Sequence, residues 1–275
     1  MGVCASAGSL SLSQIVRAAQ ASIPRAGREL LEALYPPLCP LCRRPGSEFG
    51  CTEHRLPGGA GTGRPHCGIC ARSLPPFLPD GERCDACRRR RPRFARLVVL
   101  APWRDHSGLR DWILAYKHGG RRDLAGPLAA ALAERYRAER ERRTRNRGES
   151  ARPLLVPVPL HRLRRFERGY DQALLLARAL GEELDAPVRR LLRRRRWTVP
   201  QGEAGPESRR SNVAGAFRPV LAEPHHLRGV SVWLVDDVVT SGATVEACVE
   251  ALGELGARSV GVLALARAGD RPDRR

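Results

Sequence analysis

The sequence predicts an α/β fold, a parallel β-sheet with helices on both faces, preceded by a small cysteine-rich module. From about residue 97 onward, short apolar runs alternate with stretches of helical apolar spacing, a pattern typical of parallel sheets. Seven of the nine cysteines lie between residues 39 and 87. The chain has 275 residues, enough for one medium domain plus a small module.

Apolar spacing places the elements along the chain. Strands are predicted at Leu97–Leu100, Leu154–Pro159, Val188–Leu192, Val230–Val235 and Val260–Leu265. Helices are predicted at Arg25–Leu34, Gly108–Tyr116, Leu124–Tyr136, Ala173–Leu184 and Thr244–Leu255. Residues 137–152 are nearly all charged or small, which predicts a fraying helix end and an exposed connection. Residues 193–214 are polar without periodicity, which indicates disorder or a lid over a functional site.

Composition divides the chain into three parts. Residues 1–35 are predicted to be an N-terminal extension with one short helix. Residues 36–95 are rich in Cys, Pro, Gly and Arg and have few large apolar residues, so we expect metal binding to fold them. Residues 96–275 carry the α/β pattern. The chain contains no apolar stretch long enough to cross a bilayer, and residues 1–30 lack a secretory signal, so we expect a cytoplasmic protein without a membrane partner.

The cysteine-rich segment contains four pairs of metal-binding side chains, each with two residues between its members. Such a spacer forms a tight turn that directs both ligands to one ion. The pairs are Cys39 and Cys42, Cys51 and His54, Cys67 and Cys70, and Cys84 and Cys87. Eight ligands make two tetrahedral sites, and four protein ligands without a water position are typical of structural Zn²⁺. We therefore expect two structural zinc ions.

The combination of the pairs stays open at this point. A sequential arrangement gives the first two pairs one ion and the last two pairs the other, whereas an interleaved arrangement mixes them. His66 is close enough in the chain to compete with His54 as a ligand. Cys4 and Cys248 lie outside the pattern, and Cys248 is expected to be a small core residue of its helix.

A second motif, at residues 232–244, combines an apolar strand, two acids and a loop of small and hydroxyl-bearing residues that opens a helix. Ligands of parallel sheets bind beyond the carboxyl ends of the strands. Backbone N–H groups and hydroxyls of Thr240–Thr244 suit a phosphate at a helix N-terminus, and Gly242 permits close approach. Asp236 and Asp237 suit sugar hydroxyls, bound directly or through Mg²⁺.

This motif resembles the phosphoribosyl pyrophosphate (PRPP) signature of type I phosphoribosyltransferases. The resemblance implies the type I fold for the α/β part. It also implies that Asp236 and Asp237 are catalytic residues that address the ribose 2′ and 3′ hydroxyls. The residues that hold the 5′-phosphate are, by the same resemblance, Thr240, Ser241, Gly242, Ala243 and Thr244.

Residues 156–173, Val-Pro-Val-Pro-Leu-His followed by an arginine-rich run and Arg-Gly-Tyr-Asp-Gln-Ala, resemble the hallmark of the ComF competence family. The resemblance implies a pyrophosphate loop formed by Arg164, Arg165, Arg168 and Gly169. Tyr170 and Asp171 stand where the family usually has Phe and Asn. The change brings an acid close to the expected pyrophosphate site, and it suggests that Asp171 supports Arg168.

Further segments are similar to the family at lower specificity. Leu114–Gly119 resembles its Leu-Lys-Tyr/Phe element and contains Lys117, the only lysine of the chain; the alternative is an exposed charge at a helix end. Gln201, Arg209 and Asn212 follow the order of the family's flexible loop. A double zinc ribbon in front of the transferase domain is also a feature of many members.

Two functions follow from these patterns. The first is binding of PRPP with Mg²⁺ and transfer of its 5-phosphoribosyl group, although no motif marks the acceptor. The alternative is a non-catalytic protein that binds single-stranded DNA and is linked to competence, for which Arg193–Arg196 and Trp197 offer a basic stacking surface. The net charge of +19, carried almost wholly by arginine, fits phosphate-rich partners of either kind and equally a bias in codon usage.

Overall fold

The computed structural model describes residues 38–47, 49–57, 64–103, 107–144, 152–160, 169–195, 215–220, 227–257 and 259–269. The strands are β1 (Arg96–Pro102), β2 (Leu154–Pro157), β3 (Leu192–Arg194), β4 (Phe217–Pro219), β5 (Val232–Val239) and β6 (Val260–Arg267). The helices are α1 (Asp85–Arg89), α2 (Ser107–His118), α3 (Ala125–Thr144), α4 (Gln172–Leu184) and α5 (Ala243–Glu254), with a 3₁₀ turn at Arg122–Leu124. The predicted helix Arg25–Leu34 lies outside the described residues.

Four strands form a parallel sheet in the order β1-β6-β5-β2. Continuous apolar runs occur in the central strands β5 and β6 and also in the edge strand β1, because a strand covered on both faces has no solvent side for polar residues. The short strands β3 and β4 pair antiparallel in a separate ladder. The predicted α/β architecture with a parallel sheet is therefore confirmed.

Different elements cover the two faces of the sheet. Helices α2, α3 and α4 pack on one face, where Trp233 of β5 meets Tyr136 edge-on with ring centroids 5.0 Å apart. The other face is covered by helix α5 and the β3–β4 ladder, which pack around Val232 and Leu234. The same core contains Cys67, Cys70, Cys84 and Cys87. Successive side chains of β5 point to opposite faces of the sheet and therefore belong to separate cores.

Strand β5 is longer than the sequence predicted. The acids were expected to follow the strand, but the ladder with β6 continues through Asp236, which pairs with Ala264, to Val239, which pairs with Arg267. Ladder hydrogen bonds join backbone groups, so the two acidic side chains do not interrupt the pairing with β6. The two acids therefore lie inside the end of the strand.

Two further boundaries differ from the prediction. Helix α3 continues to Thr144 through a segment expected to fray, because its basic residues have partners elsewhere: Arg142 lies 2.9 Å from Asp80. The strand predicted at Val188–Leu192 is divided, since Val188 makes a single bridge to Leu155 and Leu192 already belongs to β3. Among the described helices, none combines the length and apolarity needed to cross a membrane.

Candidate functional site

The acid pair and the hydroxyl-rich loop lie together at the carboxyl edge of the parallel sheet. Strand β5 delivers Asp236 and Asp237, and the chain then turns through Thr240–Gly242 into α5. Gly242 is the N-cap residue and has φ +81°, in the left-handed region that glycine enters without strain. Thr240 and Ser241 are exposed, so their hydroxyls are available to a ligand.

The loop leads directly into a regular helix. The first helical hydrogen bond runs from the Glu246 N–H to the Gly242 carbonyl, at 2.8 Å, and the Ala243 N–H approaches Ser241 Oγ at 3.4 Å. N–H groups in the first turn of a helix have no intrahelical acceptor and carry partial positive charge. This geometry suits a bound anion.

Asp237 forms an ion pair with a residue 120 positions earlier in the chain. Lys117 Nζ, at the end of α2, lies 3.0 Å from Asp237 Oδ2, and Asp237 is only 8% exposed. The second oxygen, Oδ1, accepts a hydrogen bond from the Val238 N–H at 2.6 Å. The structure thus brings the only lysine of the chain to the acid pair, and the charge of Asp237 is compensated within the protein.

Asp236 has a different environment. Its pKa is raised to about 7, first by burial and then by the neighbouring Asp237, whereas Lys117 acts in the opposite direction. Its Oδ1 accepts a hydrogen bond from the Asp237 N–H at 2.9 Å. Burial also raises the pKa of the Cys248 thiol in α5, with a smaller contribution from Asp236. A carboxyl group with a pKa of about 7 is partly protonated at neutral pH, so Asp236 can donate as well as accept a hydrogen bond.

Two tyrosines fasten the start of α4 to the end of α2, close to Lys117. The Tyr170 hydroxyl donates to the Tyr116 carbonyl, and the Tyr116 hydroxyl donates to the Gln172 carbonyl at 2.7 Å. Burial raises the pKa of Tyr116 above its usual range, so its hydroxyl stays protonated. Gln172 Nε2 approaches the Lys117 carbonyl at 3.4 Å. These contacts hold the segment after Gly169 beside the acid pair.

Arg122 supports the same turn from the 3₁₀ segment. Its Nη2 donates to the Gly169 carbonyl at 2.9 Å, and its guanidinium lies 4.9 Å from the ring centroid of Tyr170. Neither Arg122 nor Tyr116 was predicted to be a site residue, because their partners are backbone carbonyls, which no sequence pattern identifies. Tyr116 belongs to the Leu114–Gly119 element that resembles the family, whereas Arg122 had no such signal.

Asp171 is the N-cap of α4, where its Oδ1 accepts the Leu174 N–H at 3.1 Å. Capping accounts for an acid at this position without reference to a phosphate. The suggested contact with Arg168 lies outside the described residues. So do several other predicted site residues: Arg164, Arg165, Gln201, Arg209 and Asn212. Of the predicted pyrophosphate loop, the structure describes only Gly169.

The metal-binding side chains form two groups, in sequential order. Within each group, one ligand atom of every residue lies within 4.8 Å of all the others; the groups are Cys39, Cys42, Cys51 and His54, and Cys67, Cys70, Cys84 and Cys87. His66 is in neither group, since its Nδ1 lies 2.9 Å from Asp80 and its Nε2 lies 2.8 Å from Arg135 Nη2. The interleaved alternative does not fit this arrangement.

The electrostatics of both groups suit a divalent cation. Hydrogen bonding from Cys70 lowers the pKa of Cys67 to about 4, and the same contact raises the pKa of Cys70 far above its usual range. In the first group, burial raises the pKa of Cys51, but hydrogen bonds from His54 outweigh it and bring the value to about 6. Four thiols this close cannot all ionise unless a cation balances them, and sulfur and imidazole are the donors Zn²⁺ prefers.

Both groups are attached to the α/β part. Trp112 Nε1 of α2 donates to the His54 carbonyl at 2.6 Å, and the Leu97 N–H of β1 donates to the Ile69 carbonyl at 2.7 Å. The second group is buried in the same core as α5 and β5. The metal-binding segment is thus packed on the sheet.

Known proteins with similar sequences decide the family. A family model described as the phosphoribosyl transferase domain matches residues 171–275. Competence protein F of Haemophilus influenzae is 29% identical over 205 residues, 74% of this chain and 85% of that protein. DNA utilization protein YhgH of Salmonella typhimurium is 31% identical over 204 residues, 74% of this chain and 83% of its own. The chain belongs to the ComF/YhgH family.

The family match coincides with the site. In this ComF-family chain the phosphoribosyl transferase domain match begins at Asp171, the N-cap of α4, and includes β5, the loop and α5. A solved structure titled as the allosteric regulatory enzyme of purine biosynthesis aligns with 55% of this chain and 30% of its own, at 19% identity and a TM-score of 0.33. The two cysteine groups precede the matched region.

Proposed function

We propose that this protein binds PRPP and transfers its 5-phosphoribosyl group to a nitrogen nucleophile. The observation that carries the proposal is the meeting of Lys117, the acid pair and the Thr240–Thr244 loop at one edge of the sheet. In the reaction, a bond forms between the acceptor nitrogen and ribose C1, the bond from C1 to pyrophosphate breaks, and the acceptor loses a proton. The acceptor itself is not identified.

Each part of the site then has a task. The loop and the N-terminus of α5 bind the 5′-phosphate. Asp236 and Asp237 bind the ribose hydroxyls, and Lys117 holds Asp237 in place. Mg²⁺, which would be held by oxygens of the ligand and of the acid pair, supplies charge neutralisation for the pyrophosphate. Arg164, Arg165, Arg168 and Gly169 remain the predicted pyrophosphate ligands, and Gln201, Arg209 and Asn212 remain predicted residues of the lid.

The two cysteine groups complete the proposal. Cys39, Cys42, Cys51 and His54 hold one Zn²⁺, and the four cysteines of the second group hold another. Because every ligand position is filled by protein, both ions are structural and take no part in the reaction. Residues 36–95 form the metal-binding module, and residues 96–275 form the transferase domain. Residues 1–35 form the extension that precedes both.

Calorimetric titration of the zinc-loaded protein with PRPP and Mg²⁺ tests this function. Asp237→Asn keeps the size of the side chain but removes its charge, and a lost charge-assisted contact weakens binding by roughly 10- to 100-fold. Asp185→Asn is the matched control, since Asp185 is an exposed residue at the far end of α4 with φ +47°, a conformation that asparagine tolerates. Absence of PRPP binding to the native protein at millimolar ligand would exclude the transferase.

The names of two relatives, competence protein F and DNA utilization protein YhgH, favour a second candidate function, binding of single-stranded DNA. On β3, Arg193 is exposed and Arg194 lies 5.4 Å from the ring centroid of Phe217. If phosphates make the contact, log affinity falls with log salt with a slope of about −0.7 per phosphate contacted. No binding at low salt, or a slope near zero, would leave PRPP as the better-supported ligand.

A further inference from the structure

A buried arginine lies at the carboxyl end of β6, beside the phosphate loop. Arg267 is 7% exposed and is the last residue of the strand, opposite Val239 of β5 and Pro102 of β1. Its carbonyl accepts the Trp103 N–H at 2.8 Å, so its backbone is satisfied within the sheet. The side chain, in contrast, extends towards the turn into α5.

The guanidinium of Arg267 lies next to Gly242. A Cβ placed on Gly242 would be 4.0 Å from Arg267 Nη1. The chain after β6 follows the loop as well, because the Ala268 N–H donates to the Val239 carbonyl at 2.8 Å. The same Cβ would be 4.0 Å from Phe94 Cε1, so glycine at position 242 leaves room between the guanidinium, this ring and the start of α5.

This guanidinium has less compensation than its burial requires. Its Nε is buried without a hydrogen-bond partner, and no carboxylate of the described residues forms an ion pair with it. The nearby acid Asp237 is engaged by Lys117. A buried charge without a partner is costly, and the positive end of the α5 dipole adds repulsion rather than relief. An anion bound between the guanidinium and the helix N-terminus removes both costs at once.

We propose that Arg267 is a ligand of the phosphomonoester held by the Thr240–Thr244 loop and supplies the charge that the loop lacks. The planar guanidinium offers two parallel N–H donors that match phosphate oxygens, while the loop provides only neutral donors. The ligand class is a terminal phosphate dianion on a small molecule. This inference deepens the proposed function, in which that phosphate is on C5 of the ribose.

Ribose 5-phosphate is the probe, because it carries the terminal phosphate without pyrophosphate. Calorimetry with Arg267→Met, which keeps the aliphatic stem, is expected to show binding weakened by roughly 10- to 100-fold. Arg267→Lys retains the positive charge but lacks the two parallel N–H donors. Its affinity for ribose 5-phosphate is expected to lie between those of the native protein and Arg267→Met. The matched control is Arg218→Met, since Arg218 is half-exposed and pairs with Glu254 at the opposite end of α5; it is expected to bind like the native protein.

Thermal unfolding without ligand separates this role from a structural one. Arg267→Met removes a buried charge that no carboxylate of the described residues balances, so its melting temperature is expected to equal or exceed that of the native protein. The proposal is overturned if Arg267→Met unfolds or melts lower, if it binds ribose 5-phosphate at native strength, or if Arg267→Lys binds no better than Arg267→Met. It is also overturned if the native protein does not bind ribose 5-phosphate.

The same variants separate this inference from the proposed function. A native protein that binds ribose 5-phosphate through Arg267 but not PRPP would refute the transferase and support the arginine site. If the native protein and Arg267→Met bind PRPP equally tightly, the arginine site is refuted and the transferase proposal stands.

Discussion

Adjacent carboxyl groups at the end of β5 show how local environment divides two identical side chains into two roles. Asp237 forms an ion pair with Lys117 at 3.0 Å. Asp236 is desolvated and lies next to Asp237, and the two effects together raise its pKa to about 7. A titratable group with a strongly shifted pKa is typical of sites that bind or transform polar ligands.

The raised pKa of Asp236 predicts a dependence of stability on pH. The folded-state pKa of about 7 exceeds the ordinary value of 3.8, so Asp236 binds more protons in the folded protein than in the unfolded chain between these values. The contribution of Asp236 to stability is therefore greatest below about pH 4 and falls as the pH rises towards 7, by at most about 1.4 kcal/mol per pH unit. Asp236→Asn lacks this titration and should gain stability relative to the native protein as the pH rises.

Urea unfolding of both proteins from about pH 5 to about pH 8 measures the effect. Because both proteins carry the same cysteine groups, the difference between them isolates the carboxyl group. A difference in the free energy of unfolding that stays constant over this range would contradict the shifted pKa.

Among the elements, β5 and β6 depend on close packing at one glycine. Gly261 of β6 pairs with Trp233 of β5, and a Cβ at position 261 would lie 2.5 Å from the indole ring. The tryptophan occupies the volume of the missing side chain and meets Tyr136 of α3 edge-on. The glycine thus sets the distance between the central strands and the helical layer.

Gly261→Ala is expected to lower the free energy of unfolding by about 1–3 kcal/mol, because the large Trp233 ring must move within a packed core. The control is Gly253→Ala in α5, where nothing lies within 4 Å of the added methyl group; alanine in a helix should add about 0.5–1 kcal/mol. Chemical denaturation of the two variants gives the comparison. Equal effects of the same sign would contradict the packing argument.

The elements differ in how far the sequence predicts them. Apolar periodicity identified β1, β5, β6 and all helices of the sheet, because burial on one or two faces leaves a direct pattern. The prediction ended β5 before Asp236, because acids are rare in strands. It also joined Val188 and β3 in one strand, because both segments are apolar. Residues whose partners are backbone carbonyls, such as Arg122, left no pattern. Arg267 left a weak one, a charge at the end of a buried strand on the same edge as the acid pair.

At the scale of the whole molecule, the metal-binding segment and the sheet form a continuous structure. The second cysteine group lies in the core that also contains Leu234 and Cys248, while Trp112 donates to the His54 carbonyl of the first group. Spacing in the sequence predicted the eight ligands, and the structure selected the sequential combination. The spacing could not predict this packing, because contacts between distant segments leave no local period.

Two zinc ions per chain are expected by elemental analysis of protein produced with sufficient metal. Cys70→Ala and Cys42→Ala should each reduce the content to one, but Cys70→Ala should lower the melting temperature more, because all four ligands of its group are buried whereas Cys42 and His54 are partly exposed. Cys248→Ala is the control: it removes a buried cysteine outside both groups and should leave two zinc ions.

Removal of zinc by a chelator should lower the melting temperature of the whole protein, which should still unfold in one transition, since the second group shares the core of the sheet. One zinc or none in the native protein, or a sheet that melts unchanged after chelation, would contradict this coupling.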